Sequence, residues 1–201
     1  MTTDTINHHD ADHGHHDPAD TTMFGFWVYI MSDCLLFATL FATFAVLSDS
    51  YGTGIEPKEL FNVNYVFIET LLLLVSSFTF GMAMLGAHAK NMARMKKWLI
   101  ITFLLGAGFL CMELFEFYEF SHEHATPQTS GFWSAFYGLV STHGLHVFAG
   151  LIWLVTMAFH FKRDGFSTKN ITRLSCLSLF WHFLDIIWVC VFSFVYLGEV
   201  L

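Results

Sequence analysis

The residues of this sequence that could do chemistry are histidines and acids set in strongly apolar stretches. In WHFLDIIW, residues 181–188, the side chains of Trp181, His182, Asp185 and Trp188 fall within about 120° of one another on a helix. A charge at bilayer depth costs about 2.5 to 3.5 kcal/mol, so His182 and Asp185 must face protein, water or each other. We expect either a hydrogen bond that fixes helix packing or a direct functional role.

Two glutamates in the third apolar stretch form a second candidate. Glu113 and Glu116 are three residues apart and therefore share a helix face. Two carboxyl groups this close in a low-dielectric surrounding are not both ionised, so at least one is expected to hold a proton. The pair could serve a proton relay; alternatively, Glu116 and Glu119 could lie in water at the membrane interface.

Metal chemistry has little support in the sequence. Residues 1–22 hold five histidines interleaved with aspartates but lack a hydrophobic period, which is typical of a disordered tail, and we assign this tail no metal. Because no Cys-x-x-Cys pair occurs, we expect small hydrophobic roles for the four cysteines: Cys34, Cys111, Cys176 and Cys190. We predict no catalytic, cofactor-binding or metal-ligating residue in this chain.

The composition is that of an integral membrane protein. Of the 201 residues, 55% are hydrophobic and 13% are charged, against about 25% charged in soluble domains, and no basic face for nucleic acid exists. Five apolar stretches each exceed the roughly 20 residues needed to cross a bilayer. These predicted spans, numbered 1 to 5, cover about residues 24–48, 64–87, 97–120, 132–161 and 176–198. The predicted fold is all-α, a five-helix transmembrane domain over residues 23–201 that follows the tail.

Basic residues determine the predicted orientation. The linkers after spans 2 and 4 together hold eight of the nine Lys and Arg residues, so both are expected to be cytoplasmic. With five spans, the N-terminus is then cytoplasmic and the C-terminus periplasmic. The start of the chain lacks the pattern of a cleavable signal peptide, so span 1 is expected to stay attached.

Helix depth, at about 1.5 Å per residue, groups the buried polar residues into two layers. Asp33 and Asp185 are expected about 13 Å from the cytoplasmic ends of their helices. His143 is expected near the same level, and His146 and His182 about one turn lower. The predicted inner polar cluster consists of Asp33, His143, His146, His182 and Asp185, and the predicted outer cluster consists of Glu69, Glu113 and Glu116.

Small side chains mark a predicted packing face on span 4. Ser134, Gly138, Thr142, His146 and Gly150 recur every four residues, which allows another helix to approach closely. The predicted helix-packing residues are Gly138, Gly150, Trp181 and Trp188.

Four motifs together resemble subunit III of the haem-copper terminal oxidases. They are, in the family's order, Ser-Asp at 32–33, EFYE at 116–119, HGLHV at 143–147 and WHFLDIIW at 181–188. The resemblance covers about residues 24–198. The five-helix form, with a His-rich tail ahead of FGFW, is similar to the bo-type ubiquinol oxidase branch of bacteria.

The resemblance implies a non-catalytic subunit of a proton-pumping quinol oxidase in the bacterial inner membrane. Haem and copper would belong to subunit I, the main partner, and this chain would carry no redox centre. Its work would be to stabilise subunit I and bound phospholipid and to support proton uptake, beside other oxidase subunits. Asp33 stands where the family often has Glu, and Glu69 where longer forms often have an amide, which suggests a carboxyl pair with Glu113.

Two other functions are compatible with the same residues. Buried acids and histidines also occur in proton-coupled transporters that work alone, although the inverted repeat typical of such proteins is missing. The second alternative is a membrane protein that binds metal through its N-terminal histidines.

Overall fold

The structure is a computed structural model that describes residues 18–50 and 61–200. Over these residues the chain forms helices and no strand. The elements are α1 (Pro18–Leu47), α2 (Val63–His88), α3 (Met92–His122), α4 (Gly131–Asp164), α5 (Thr168–Val191), a π-helical turn (Phe192–Tyr196) and α6 (Leu197–Val200). The first five are long and apolar enough to cross a membrane, the last of these spans running from Thr168 to Glu199. The all-α, five-span prediction is confirmed.

The helices extend beyond the apolar cores that the sequence marks. Helix α3 begins at Met92 and α5 at Thr168, several residues before the predicted spans. A polar side chain explains the earlier start of α3, since Asn91 accepts a hydrogen bond from the backbone N–H of Arg94 and so satisfies a free donor of the first turn. Asn62 and Ser130 cap α2 and α4 in the same way, whereas Ser167, which precedes α5, makes no such side-chain hydrogen bond. Helix α1 begins at Pro18, inside the predicted tail, while residues 1–17 of that tail lie outside the described residues.

Helices α2 and α3 form a tight antiparallel hairpin. Its turn uses Lys90 in the left-handed region, with φ of 52°. A Cβ at Gly86 would lie 2.9 Å from the backbone N of Met95, so a glycine is required where the two backbones meet.

Helix α5 lies at the centre of the bundle. It packs against α1, α2 and α4, while α3 packs against α2 and α4. Helix α1 rests mainly on α4 and α5 and is the least buried of the five spans. Polar groups on α5 are therefore placed between the other helices.

The basic residues gather at one end of the bundle, in and beside the α2–α3 and α4–α5 turns. The opposite end is filled by a cluster of aromatic rings that includes Phe61, Phe136 and Tyr196, whose centroids lie 4.8 to 5.6 Å apart. That the basic end is cytoplasmic stays a prediction.

Candidate functional site

The tryptophans of the 181–188 stretch join α5 to α2. Trp181 Nε1 donates to Ser76 Oγ at 3.0 Å, and Trp188 Nε1 donates to Thr70 Oγ1 at 3.1 Å. Both indoles are buried, so each would otherwise lose a hydrogen bond to water without replacement. Two of the four predicted helix-packing residues, Trp181 and Trp188, lie in this interface.

His182 and Asp185 lie beside this seam, where it opens to the surface. His182 Nδ1 is hydrogen-bonded to Ser77 Oγ at 2.5 Å. Both side chains are half-buried, and Asp185 Oδ1 has no hydrogen-bond partner among the described residues. They line a recess of about 430 Å³, called here the α2–α5 recess, together with Leu74, Ser77, Phe78, Gly81, Met82 and Leu85.

Asp33 and His146 form a separate pair between α1 and α4. His146 Nε2 lies 3.7 Å from Asp33 Oδ2, and His146 Nδ1 lies 2.7 Å from the carbonyl oxygen of Thr142. Because a carbonyl only accepts, Nδ1 carries a hydrogen, and Nε2 faces the carboxyl. At 3.7 Å the two groups are close enough for an ion pair but too far apart for a direct hydrogen bond, and Asp33 Oδ2 has no hydrogen-bond partner among the described residues.

Three glutamates lie at a different level and are almost completely buried. Glu69 is 0% exposed, Glu113 1% and Glu116 4%. The Tyr196 hydroxyl donates to Glu116 Oε2 at 2.7 Å, and Glu69 interacts electrostatically with both other acids. These residues, called here the carboxyl layer, are the predicted outer cluster. The alternative that Glu116 lies in water is wrong, because the end of α5 and the aromatic cluster cover it.

The carboxyl layer depends on a glycine. A Cβ at Gly144 would lie 2.8 Å from Cδ of Glu113, so the missing side chain makes room for this carboxyl against α4. Both oxygens of Glu69 and Oε2 of Glu113 have no hydrogen-bond partner within the part of the chain that the structure describes. Fully buried carboxyls with so few partners are stable only when they are largely neutral.

His143 lies next to the carboxyl layer. It is completely buried, and its ring packs against Trp188 and Phe109, with centroids 5.1 and 5.9 Å away. Neither ring nitrogen has a partner in residues 18–50 and 61–200. His143 directly precedes Gly144, the residue of α4 against which the Glu113 carboxyl lies.

The structure therefore separates the predicted inner cluster into three places. Asp33 and His146 meet, His182 and Asp185 meet, and His143 stands apart from both pairs. Depth along each helix was read from the sequence, but rotation about the helix axis was not. The ring of Phe37 packs against both His143 and His146, with its centroid 6.4 Å from that of His143 and 5.3 Å from that of His146.

Two glycines enclose the ring of Trp181. A Cβ at Gly106 would lie 2.8 Å from Trp181 Cη2, and one at Gly150 would lie 3.1 Å from Cζ3. Gly150 thus lies against the ring of Trp181. A Cβ at Gly138 would meet no described atom within 4 Å, so Gly138 packs against no helix of the described chain.

Sequence reasoning missed the residues that complete these sites: Thr70, Ser76, Ser77, Gly144 and Tyr196. The hydroxyls of α2 carried a signal, since polar residues in a membrane helix tend to face other helices. Tyr196 carried none, because in an uninterrupted α-helix it would be rotated about 80° from Trp188. The π-helical turn accommodates an extra residue and leaves both side chains fully buried.

The fold and these sites define a class: a multi-span helical membrane protein with several ionisable groups buried between its own helices. Across the described ranges, no group of three or more His, Cys, Asp or Glu residues is placed to hold a metal ion. The four cysteines are free thiols, two of them on the exterior of the bundle.

The family follows from comparison with known proteins. Residues 3–199 match the family model described as cytochrome c oxidase subunit III. The chain belongs to this family, which confirms the family that its four motifs indicate.

Several relatives are similar over most of their length. The cytochrome bo(3) ubiquinol oxidase subunit 3 of Pseudomonas putida is 52% identical over 92% of this chain and 90% of its own. That of Pseudomonas aeruginosa is 50% identical over 94% and 90%. The cytochrome c oxidase subunit 3 of Bacillus sp. PS3 is 45% identical over 86% and 84%. Bacterial relatives and five spanning helices identify a multi-pass protein of the inner membrane.

Proposed function

We propose that this chain is the non-catalytic subunit III of a haem-copper ubiquinol oxidase, in which quinol oxidation is coupled to oxygen reduction. Family membership supports the subunit assignment. The electron donor is supported by the names of the two Pseudomonas relatives, ubiquinol oxidase subunits that are 50 and 52% identical to this chain, whereas other quinol oxidase subunits and the cytochrome c oxidase subunit of Bacillus sp. PS3 lie together at 43 to 45%. A transporter that works alone is disfavoured by the same findings.

The α2–α5 recess is the observation that carries the proposal of a partner. It opens a half-buried histidine and a half-buried aspartate to the outside of a membrane-spanning bundle. Ionisable groups exposed to lipid at this depth are costly, whereas a neighbouring protein can satisfy them. Gly81, whose Cβ position is open in the described chain, would let a second helix come close. We assign this face to contact with subunit I.

In this assignment haem and copper are held by subunit I, and the present chain stabilises that subunit and bound phospholipid. The Asp33–His146 pair adds a second role. An aspartate and a histidine that face each other between α1 and α4 are suited to support proton uptake by the complex.

Purification of the tagged chain in mild detergent tests the proposal. Mass spectrometry should find a haem-bearing subunit in stoichiometric amount, and a reduced-minus-oxidised spectrum should show its haems. In Asp33→Asn and His182→Ala variants, the haem spectrum should be preserved in whatever complex is recovered, and in His182→Ala oxygen uptake per haem should be preserved as well. Recovery of the tagged chain as a lone, colourless protein would contradict the assignment and favour the transporter.

A further inference from the structure

The carboxyl layer continues along α3 to the end of the bundle opposite the basic residues. Glu113, Glu116 and Glu119 are spaced three residues apart, so successive carboxyls are neighbours on the helix, with about 4.5 Å of rise between them. Glu113 and Glu116 are almost completely buried, whereas Glu119 is exposed, one turn before α3 ends at His122. The three acids thus form a series that leads from the core of the bundle to its surface.

Glu69 lies beside this series and comes from a different helix, α2. It is 0% exposed, and neither of its carboxyl oxygens has a hydrogen-bond partner among the described residues. A carboxyl that served only to join helices would hydrogen-bond across their interface, as the two indoles of α5 do. A charge on Glu69 would be neither solvated nor paired, so this carboxyl holds a proton. A buried carboxyl without partners indicates a role other than packing.

Glu116 is the common neighbour of the other acids. It interacts electrostatically with Glu69 and Glu113 in the core and with Glu119 at the surface. The Tyr196 hydroxyl donates to Glu116 Oε2 at 2.7 Å, and a donated hydrogen bond favours the ionised form of a carboxyl. Glu69 has no such donor within the described ranges. The geometry therefore lets Glu116 lose its proton more readily than its buried neighbour.

Protons, and not basic side chains, balance the acids of the layer. Within residues 18–50 and 61–200, no lysine or arginine forms an ion pair with Glu69, Glu113 or Glu116. Three carboxylates this close in low dielectric cannot all be ionised, so the layer holds protons that are shared among its members. Besides the four acids and Tyr196, the ionisable side chains at the layer are Tyr65 on α2, and Tyr137 and His143 on α4.

We propose that the carboxyl layer is a proton-exchange site: Glu69 and Glu113 hold protons, and Glu116 passes them to and from water at the end opposite the basic residues. Each step moves one proton. The O–H bond of a carboxylic acid breaks, the proton bonds to an oxygen of an ionised neighbour, and the negative charge moves the opposite way; exposed Glu119 exchanges the proton with water. This goes beyond the proposed function, which places no proton route at this end.

Hydrogen–deuterium exchange at Glu69 tests the route. The protein, purified with the subunits that accompany it, is transferred to heavy water, and its infrared carboxyl band is followed over time. The band of Glu69 is identified by its absence from Glu69→Gln, and in the unchanged chain it should shift to the deuterated position.

Glu116→Gln removes the acid through which the proton passes, but its amide oxygen can still accept from Tyr196. A positioned acid–base side chain contributes roughly 10²- to 10⁴-fold to proton transfer, so exchange at Glu69 should slow by about 100-fold. Glu116→Asp keeps a carboxyl at this place and should restore most of the rate. Tyr196→Phe removes the donor that favours ionised Glu116 and should slow exchange several-fold, which gives a second, independent variant.

Glu123→Gln is the matched control. It removes the same charge from an exposed position just after α3 and should leave exchange at Glu69 unchanged. Thermal unfolding of each preparation shows that the fold is kept. A haem spectrum shows whether subunit I is present, which separates failure of the proposed function from failure of this proposal, since the exchange is measured on the present chain.

Three results would overturn the proposal. They are a Glu69 band that stays unshifted in the unchanged chain, equal exchange rates in the Glu116→Gln and Glu123→Gln variants, or exchange that neither depends on Tyr196 nor returns in Glu116→Asp. In each of these cases the acids of the layer would be permanently protonated packing groups, or would exchange by opening of the bundle.

Discussion

The carboxyl layer and the α2–α5 recess both place acids inside a membrane-spanning bundle, but they are enclosed differently. Glu69, Glu113 and Glu116 are covered by this chain alone, with a glycine and a tyrosine from other helices fitted to them. His182 and Asp185 are half-buried and open to the exterior. The first region is enclosed by the described chain itself, whereas the second is open, and in our proposal a neighbouring subunit covers it. Burial of polar groups thus distinguishes internal structure from an interface.

The largest effect is expected where the carboxyl layer is tightest. Gly144→Ala places a Cβ against the buried Glu113 carboxyl and should destabilise the subunit by about 1 to 3 kcal/mol, as overpacking does. Thermal unfolding of the purified complex and the subunit's level in membranes measure this loss.

Gly138→Ala is the matched control, because no described atom lies within 4 Å of the added Cβ. Glu113→Asp in the Gly144→Ala background retracts the carboxyl by one methylene and should restore part of the stability. Equal effects of the two glycine variants would show that Gly144 makes no room for Glu113.

A variant of the recess should affect assembly more than the fold. His182→Ala removes the hydrogen bond to Ser77 and a polar group of the proposed interface, so the co-purified haem-bearing subunit should fall several-fold while the level of this chain changes little. Quantitative mass spectrometry of both subunits gives the ratio.

His160→Ala provides the comparison for that variant. His160 is hydrogen-bonded to the backbone carbonyl of Thr156 on α4 and lies outside the recess. If both histidine variants lower the subunit ratio equally, the recess has no special part in assembly.

Replacement of Asp33 should have a smaller effect. Asp33→Asn keeps the shape but removes the carboxyl group that faces His146, and polar contacts between membrane helices average about 0.6 kcal/mol. We expect a slight fall in the temperature of thermal unfolding of the complex. Asp49→Asn, which alters an exposed residue just after α1, should not change that temperature; equal unfolding temperatures in the two variants would show that Asp33 makes no stabilising contact with His146.

The smallest change compares the two regions directly. Tyr196→Phe and Ser77→Ala each remove one hydroxyl, from the carboxyl layer and from the recess. Each should cost about 0.6 kcal/mol, seen as a small shift in thermal unfolding. Only Ser77→Ala should also weaken subunit association. If Tyr196→Phe weakened association and Ser77→Ala did not, the carboxyl layer and not the recess would be the interface.

Much of this architecture could be predicted from the sequence. Apolar runs longer than a bilayer is thick admit little besides spanning helices, because the backbone must satisfy its own hydrogen bonds in lipid. The 3.6-residue period also placed Trp181 and Trp188 on one buried face. The spacing of Glu113 and Glu116 predicted their shared surroundings for the same reason.

The contacts between particular helices could not be predicted from the sequence. The sequence does not determine how α1 is oriented about its own axis. The predicted inner cluster therefore groups Asp33 with His182 and Asp185, whereas in the structure Asp33 lies beside His146. The π-helical turn depends on tertiary packing around Tyr196, and local propensity does not indicate it. Gly144 is one of several glycines in the chain, and only coordinates reveal that a carboxyl lies against it.

Photo-cross-linking from the α2–α5 recess shows which molecule covers this face of the bundle. A photo-reactive amino acid replaces Gly81 in intact membranes, and Leu104, exposed on α3, serves as the control position. We predict that position 81 links to the haem-bearing subunit and that position 104 does not. Cross-links from position 81 to lipid alone would contradict the proposal that a partner subunit covers the α2–α5 recess.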